Sequence, residues 1–303
     1  MTDLSVFQRK IADLLPQIDI HFNEPMAKHT SFRIGGAAGV MAFPKNTEEL
    51  AGILKTCDSL SVRYCILGAG TNVLAPDAGI SGIVICLKDA LDGMEQLDAT
   101  HIRVAAGVTM TRAAVFASNL ALSGMEFAHG IPGTVGGGVY MNAGAYGGEI
   151  CQICSSVDVM DATGKITSYS PEQMEFSYRH SVLEDTGGIV VSATFALTPG
   201  DKEEIKAKMR ELMAKRSASQ PLDLPSAGSA FKRPANGYAA AMIDQCGLRG
   251  FQIGGAAIST KHAGFAVNTG GATAEDVKAL LAEVSDRVFR QFSVRLEPEI
   301  RIW

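Results

Sequence analysis

Apolar positions recur along this chain at two different spacings. Val277, Leu280, Leu281, Val284 and Val288 fall three or four residues apart and predict a helix from Thr273 to about Gln291 with one buried face. Residues 4 to 15 have the same period over a shorter length. Asn46 followed by Glu49 opens a helix through about Cys57, and Thr109 to Ser123 reads as a helix closed by Gly124. Ser170-Pro171 with Gln173 is a further helix start. Asp201 to about Lys215 predicts a charged bridging helix with Glu204 and Lys208 four apart, and Tyr238 to Cys246 a short one. Compact apolar or alternating runs predict strands at Arg63 to Leu67, Gly82 to Leu87, Ile102 to Ala106, Gly188 to Leu197 and Leu296 to Trp303, and a hairpin from Ser156 to Asp161 and Lys165 to Tyr169. Helices and strands mix without strict alternation, which predicts an α+β fold over a doubly wound sheet.

With 303 residues, 47% hydrophobic and 19% charged, the chain has material for a sizeable core and two or three compact units. Its net charge of -5 is spread without blocks of like sign, which speaks against nucleic acid or an acidic membrane surface as the main partner. The six cysteines suit neither a secreted disulfide framework nor a paired zinc site; Cys151 and Cys154 form a lone C-x-x-C, read as two small residues entering a strand. No metal is expected. The first residues carry no basic stretch followed by an apolar run, and no run of 18 apolar residues occurs, so neither export nor membrane insertion is expected and a reduced cytoplasmic setting is the default.

Composition becomes informative at Gly130 to Gly148, where eight glycines stand among fixed Val, Tyr, Met and Asn positions. Clustered glycine costs backbone entropy, and the usual compensation is close approach of backbone to a ligand, with N–H groups aimed at phosphate oxygens. Tight turns at a sheet edge are the plain alternative. A second glycine loop, Gly68, Ala69, Gly70, Thr71 and Asn72, ends the apolar strand before it. Neither loop completes a Rossmann fingerprint or a P-loop, and zinc-protease, EF-hand and serine-hydrolase motifs are missing. Two backbone cradles suit the two ends of a long diphosphate cofactor, and flavin adenine dinucleotide (FAD) has that length.

Three polar clusters follow: Tyr178-Arg-His-Ser181, Ala227-Gly-Ser-Ala-Phe-Lys-Arg-Pro234 and Leu296-Glu-Pro-Glu-Ile-Arg301. Taken singly, each also fits a helix end, a loop or a charged edge strand. His129 abuts the glycine segment, either lining the cofactor or serving a turn. His29 and Arg33 sit in another glycine turn, Lys28 to Gly36, with a basic turn the equal alternative.

Together with Thr30-Ser-Phe-Arg-Ile-Gly-Gly36, Leu67 to Asn72, Gly130 to Gly137 and Asn142 to Gly147, these clusters resemble the UDP-N-acetylenolpyruvoylglucosamine reductase family, in the family's order over nearly the whole chain. The short stretch after Arg179 resembles its shorter subtype, without an extra tyrosine-bearing loop. The resemblance implies a two-part FAD-binding unit of the vanillyl-alcohol-oxidase (PCMH) type, at 1–95 and 96–200, and a smaller α+β substrate domain at 201–303. It implies noncovalent FAD, NADPH as reductant, and reduction of UDP-N-acetylglucosamine enolpyruvate to UDP-N-acetylmuramate, with no obligate protein partner evident. The residues implied for the cofactor are Gly68, Ala69, Gly70, Thr71, Asn72, Gly130, Ile131, Pro132, Gly133, Thr134, Gly136, Gly137, Asn142, Ala143 and Gly144, with Pro132 setting the turn and the glycine amides facing the diphosphate.

The family's catalytic positions map to Arg179, Ser229 and Glu299, and its substrate-lining positions to Tyr146, Tyr178 and Arg301. Lys232 or Lys215 is expected at the substrate diphosphate. Glu297, two residues from Glu299 on one strand, is expected to share its face, so the motif alone selects Glu299. Thr71 stands where Ser is usual, with the hydroxyl kept, and Arg233 where Asn is often seen. A flavin oxidase of the same fold and a non-catalytic sugar-nucleotide binder are the competing readings.

Overall fold

A computed structural model describes residues 4–303. The chain divides into two compact units that interleave in sequence. The first comprises Met1–Phe22, Gly39–Ala69 and Gly82–Lys215, and the second Asn23–Ala38, Gly70–Ser81 and Arg216–Trp303.

The first unit contains a five-stranded antiparallel sheet in the order Ile166–Tyr169, Cys154–Met160, Ile189–Ala196, His101–Ala105 and Met94–Gln96. A four-stranded sheet includes Tyr64–Leu67 parallel to Ile80–Cys86. Apolar residues from its helices and strands form one core that includes Leu50, Ile53, Ile85, Val104, Ala113, Val157 and Phe195. Asn46 caps the helix Thr47–Ser59 as its sequence predicts: the Asn46 side chain accepts from the Glu49 amide at 2.8 Å, and Glu49 accepts from the Lys45 amide at 2.7 Å.

The second unit holds a four-stranded antiparallel sheet in the order Ser226–Ser229, Phe265–Asn268, Ala256–Ile258 and Gln252–Ile253, with the helices Ala239–Gln245 and Ala274–Phe292. Its separate core draws on Phe32, Ile34 and Leu74 as well as on the long helix, whose Val277, Leu280, Leu281, Val284 and Val288 are all buried. Thr273 and Asp276 form a reciprocal capping box on that helix, and the Asp77 carboxylate accepts from the amides of Ala274 and Glu275.

Three expected elements differ. Ser170 and Gln173 do exchange capping hydrogen bonds, but only a turn follows, because Glu175 adopts a φ of 47° that a helix does not accept. The helix expected over Thr109 to Ser123 spans Met110–Asn119, since Ala121 turns left-handed (φ 56°) and Leu122–Ser123 pairs with Thr198–Pro199. The terminal strand contracts from Leu296–Trp303 to Arg301–Ile302, preceded by a single bridge between Pro298 and Phe231. No helix among the described residues is long and apolar enough to cross a membrane.

Candidate active site

Within the first unit, the glycine segment encloses a short helix, Val135–Tyr140, capped by the Thr134 hydroxyl. The amides of Val135 and Gly136 donate to the carbonyls of Val108 and Ala106 at 2.8 and 2.9 Å, and the Gly137 amide to Thr134 Oγ1 at 3.4 Å. The Gly136 amide is thus engaged inside the protein, whereas that of Gly137 makes only a long cap bond. A Cβ at Gly136 would lie 2.9 Å from that of Ala106, so glycine there permits packing against the strand. At Gly137 the same atom would meet nothing nearer than Thr134 Oγ1 at 3.7 Å, an ordinary contact, so no packing demand accounts for glycine there.

The first glycine loop lies directly on this segment: a Cβ at Gly68 would come 2.5 Å from Thr134 Oγ1. His129 directly precedes the glycine segment; its Nδ1 is buried without a hydrogen-bond partner, and burial lowers the pKa of that imidazole. Two glycine loops in contact at Gly68 and Thr134, with an orphaned buried nitrogen on the residue that precedes the second, fit a polar ligand of the dinucleotide kind.

Tyr146 and Arg179 stand at the tips of two neighbouring turns in the same unit. The hairpin Gly144–Ala145 and Gly148–Glu149 turns through Tyr146 (φ 54°) and Gly147 (φ 85°), a primed-turn geometry that holds Tyr146 exposed. Ser177 and His180 exchange backbone hydrogen bonds around Tyr178 and Arg179, and Arg179 takes a φ of 57°. Such a conformation is costly for a long side chain and is held by its surroundings. Arg179 Nη2 donates to the Gly144 carbonyl at 3.2 Å, and its guanidinium lies 5.0 Å from the Tyr178 ring centroid.

The Asn142 carboxamide holds these turns together, a role that sequence reading missed. It is 1% exposed, donating to Glu149 Oε2 (3.1 Å) and the Ser177 carbonyl (3.0 Å) and accepting from the Cys151 amide (2.9 Å). Asn142 was expected among the cofactor contacts, but its side chain is fully committed inside the protein. The only sequence signal for this was an asparagine just past a helix end, where a left-handed φ (here 41°) is tolerated.

In the second unit, the sheet register shifts between Ser226 and Ser229, where Gly228 adopts a φ of 77°, and Ser229 is exposed. The Glu299 amide donates to the Ala230 carbonyl, and the Lys232 amide to the Glu297 carbonyl. Glu297 and Glu299 do not share a strand face as expected: Glu297 is exposed with Lys232 Nζ 3.4 Å away, whereas Glu299 is half-buried. Irregular backbone around Pro298 replaces the expected alternation. Arg301 pairs in parallel with Val73, its amide on the Asn72 carbonyl at 2.9 Å, so the chain end meets the loop containing Thr71 and Asn72. Ser31 joins this group, its hydroxyl donating to the Ser226 carbonyl (2.6 Å) and its amide to that of Gly70 (3.0 Å). A Cβ at Gly70 would collide with the His29 carbonyl. Arg233 stacks on Tyr238 at 4.1 Å.

In the first unit, Lys215 Nζ pairs with Glu211 Oε1 at 2.5 Å. The C-x-x-C pair there is inert: burial pushes the Cys154 thiol up to about 12 and raises that of Cys151, so neither is poised as a thiolate.

Residues 220–303 match the family model for the UDP-N-acetylenolpyruvoylglucosamine reductase C-terminal domain, and residues 38–170 match that of an FAD binding domain. The UDP-N-acetylenolpyruvoylglucosamine reductase of Agathobacter rectalis is 44% identical over 98% of this chain and 98% of its own length. The protein of that name from Caldanaerobacter subterraneus is 43% identical over 97% of this chain and 96% of its own. The crystal structure of the Thermus caldophilus reductase superposes with a TM-score of 0.78 at 34% identity, covering 95% of this chain and 99% of that one.

Proposed function

Since the chain belongs to the UDP-N-acetylenolpyruvoylglucosamine reductase family, we infer that it is an FAD-containing, NADPH-dependent enzyme that reduces the enolpyruvyl ether of a UDP-N-acetylglucosamine to the lactyl ether of UDP-N-acetylmuramate, a step of peptidoglycan precursor synthesis. The observation that carries the assignment of residues is the backbone link between Ala230 and Glu299, which sets a hydroxyl-bearing loop beside a half-buried carboxyl group. Dependence on NADPH and a sugar-nucleotide precursor supports a cytoplasmic location.

FAD would be held by Gly68–Asn72, by Gly130–Thr134 and by the backbone at Gly137, Ala143 and Gly144; when bound it relays a hydride from NADPH to the methylene carbon of the enolpyruvyl group. The protein's own task is the charge and the proton that follow. Negative charge develops on the carbon next to the carboxylate and spreads into it, and fixed positive charge is the strongest aid to such a state. Arg179 supplies that charge and can fork onto the carboxylate with two N–H donors. Glu299, half-buried, is the carboxyl group assigned to assist the developing anion. Ser229 Oγ then gives its proton to the carbanionic carbon and recovers one from solvent, which completes addition of two hydrogens across the double bond. Tyr146 and Tyr178 line the sugar nucleotide, and Arg301 and Lys232 serve its charged groups.

The deciding experiment mixes the purified yellow protein with NADPH and the enolpyruvyl sugar nucleotide and identifies the product by mass. NADPH consumption that needs the sugar nucleotide and yields UDP-N-acetylmuramate supports the reading. Reduction of the flavin by a hydroxy acid with transfer to oxygen would replace it with an oxidase, and a colourless protein would replace it with a binding protein.

A further inference from the structure

The turn that presents Arg179 has little to hold it in itself. It is four residues long, and its arginine sits at a left-handed φ of 57°. The glycine segment reaches this stretch of chain through Asn142 Nδ2 on the Ser177 carbonyl (3.0 Å), Ser181 Oγ on the Tyr140 carbonyl (2.8 Å) and Arg179 Nη2 on the Gly144 carbonyl (3.2 Å), while the His180 ring meets Glu184 and Asp185 on its other side (3.1 and 3.4 Å). Asn142 also grips the hairpin of Tyr146, through Glu149 at its base and the Cys151 amide beyond it, and so adds a buried tie to the direct one that Arg179 makes to Gly144. Glu149 accepts through Oε2 while its own amide donates to Gln152 Oε1 (3.1 Å), so the hairpin base is tied on both sides.

We propose that Asn142 is a positioning residue for the reduction: its buried carboxamide locks the Tyr178–Arg179 turn to the Tyr146 hairpin, so that the two tips form one rigid pair. A planar group with two donors and one acceptor is needed at this place. Aspartate lacks the donors, glutamine is a carbon too long, and alanine lacks both the donors and the acceptor. The inference rests on the reading of Arg179 as the residue that holds the substrate carboxylate.

The test uses Asn142→Asp and, should the carboxylate beside Glu149 prevent folding, Asn142→Gly; both residues accept the left-handed backbone. In the flavin-loaded protein, flavin reduction by NADPH keeps its rate, while reoxidation by the enolpyruvyl sugar nucleotide slows by about 10- to 100-fold, the scale of a misplaced catalytic group. The double variant with Arg179→Ala is no slower than Arg179→Ala alone, because the lost positioning has nothing left to act on. In flavin-free protein, amide exchange accelerates together in 144–151 and 177–181. Effects that multiply in the double variant, or acceleration confined to one of those segments, overturn the positioning role while leaving Arg179 in place. An Arg179→Ala protein with unchanged reoxidation overturns the reading of Arg179 and this inference with it.

Discussion

The amide of Glu299 donates to the carbonyl of Ala230 at 3.0 Å, which fixes the backbone of Glu299 against the residue that follows Ser229. Two residues some 70 positions apart in sequence thereby enter one local structure of the second unit.

That proximity lets their roles be separated by half-reaction. Ser229→Ala leaves the backbone link intact and removes only the hydroxyl. Rapid-mixing measurements are expected to show flavin reduction by NADPH unchanged and reoxidation by the enolpyruvyl sugar nucleotide slowed by about 10²- to 10⁴-fold, the usual range for a lost proton donor. Equal slowing of both steps would remove Ser229 from the proton transfer.

Glu299→Gln is expected to slow reoxidation far more than Glu297→Gln. Glu297 is exposed, and its partner Lys232 forms the kind of surface pair that contributes little. If the two amide variants turn out alike, or in reverse order, the carboxyl role passes to Glu297.

Gly136→Ala tests a packing glycine against a ligand-facing one. The added methyl would press on Ala106 Cβ at 2.9 Å and on its carbonyl oxygen at 3.2 Å. Overpacking of this sort costs about 1–3 kcal/mol, read as a lower denaturant midpoint of the flavin-free protein. Gly137→Ala meets no such wall and keeps the midpoint. Equal midpoints for wild type and Gly136→Ala would refute the packing assignment.

Asp276 links stability to pH. The amide of Thr273 and then that of Gly255 hold its carboxyl below the usual carboxylate range. A group depressed in the folded state stabilises fully above its unfolded pKa, near 4, and that contribution fades as pH falls through the folded value. The gap in denaturant midpoint between wild type and Asp276→Asn should therefore be widest at neutral pH and close in acid. A gap that stays constant across that range would assign Asp276 a purely steric part against Gly254.

Regular elements were legible wherever one physical signal dominated. The apolar stripe from Val277 to Val288 and the cap at Thr273 define the long helix in sequence and in structure alike. Legibility failed where local and distant forces compete. Ser170 and Gln173 make their capping bonds, yet Glu175 turns the chain away. The glycines of 130–148 looked uniform in sequence but divide by neighbour: a Cβ added at Gly136 would press on Ala106 and one at Gly138 would lie 2.8 Å from Met110 Sδ, whereas at Gly137 it would meet only ordinary contact and at Gly147 nothing within 4 Å. Asn142 could not be read as a clamp because its partners, Glu149, Cys151 and Ser177, are brought to it by tertiary structure. The inequality of Glu297 and Glu299 was hidden for a similar reason, since strand alternation does not survive the irregular backbone around Pro298.

The second unit is assembled from three lengths of chain, with Ser31 hydrogen-bonded to both Gly70 and Ser226, and Arg301–Ile302 paired with Val73–Leu74. During synthesis on the ribosome, Phe32, Ile34 and Leu74 emerge early, but the core that buries them waits for residues as late as Leu296 and Ile300. A nascent chain stopped before residue 216 therefore leaves these side chains without their partners, and a fragment starting there lacks part of its own interior. For this molecule, the second unit can close only once 216–303 have followed the two earlier lengths of chain out of the ribosome.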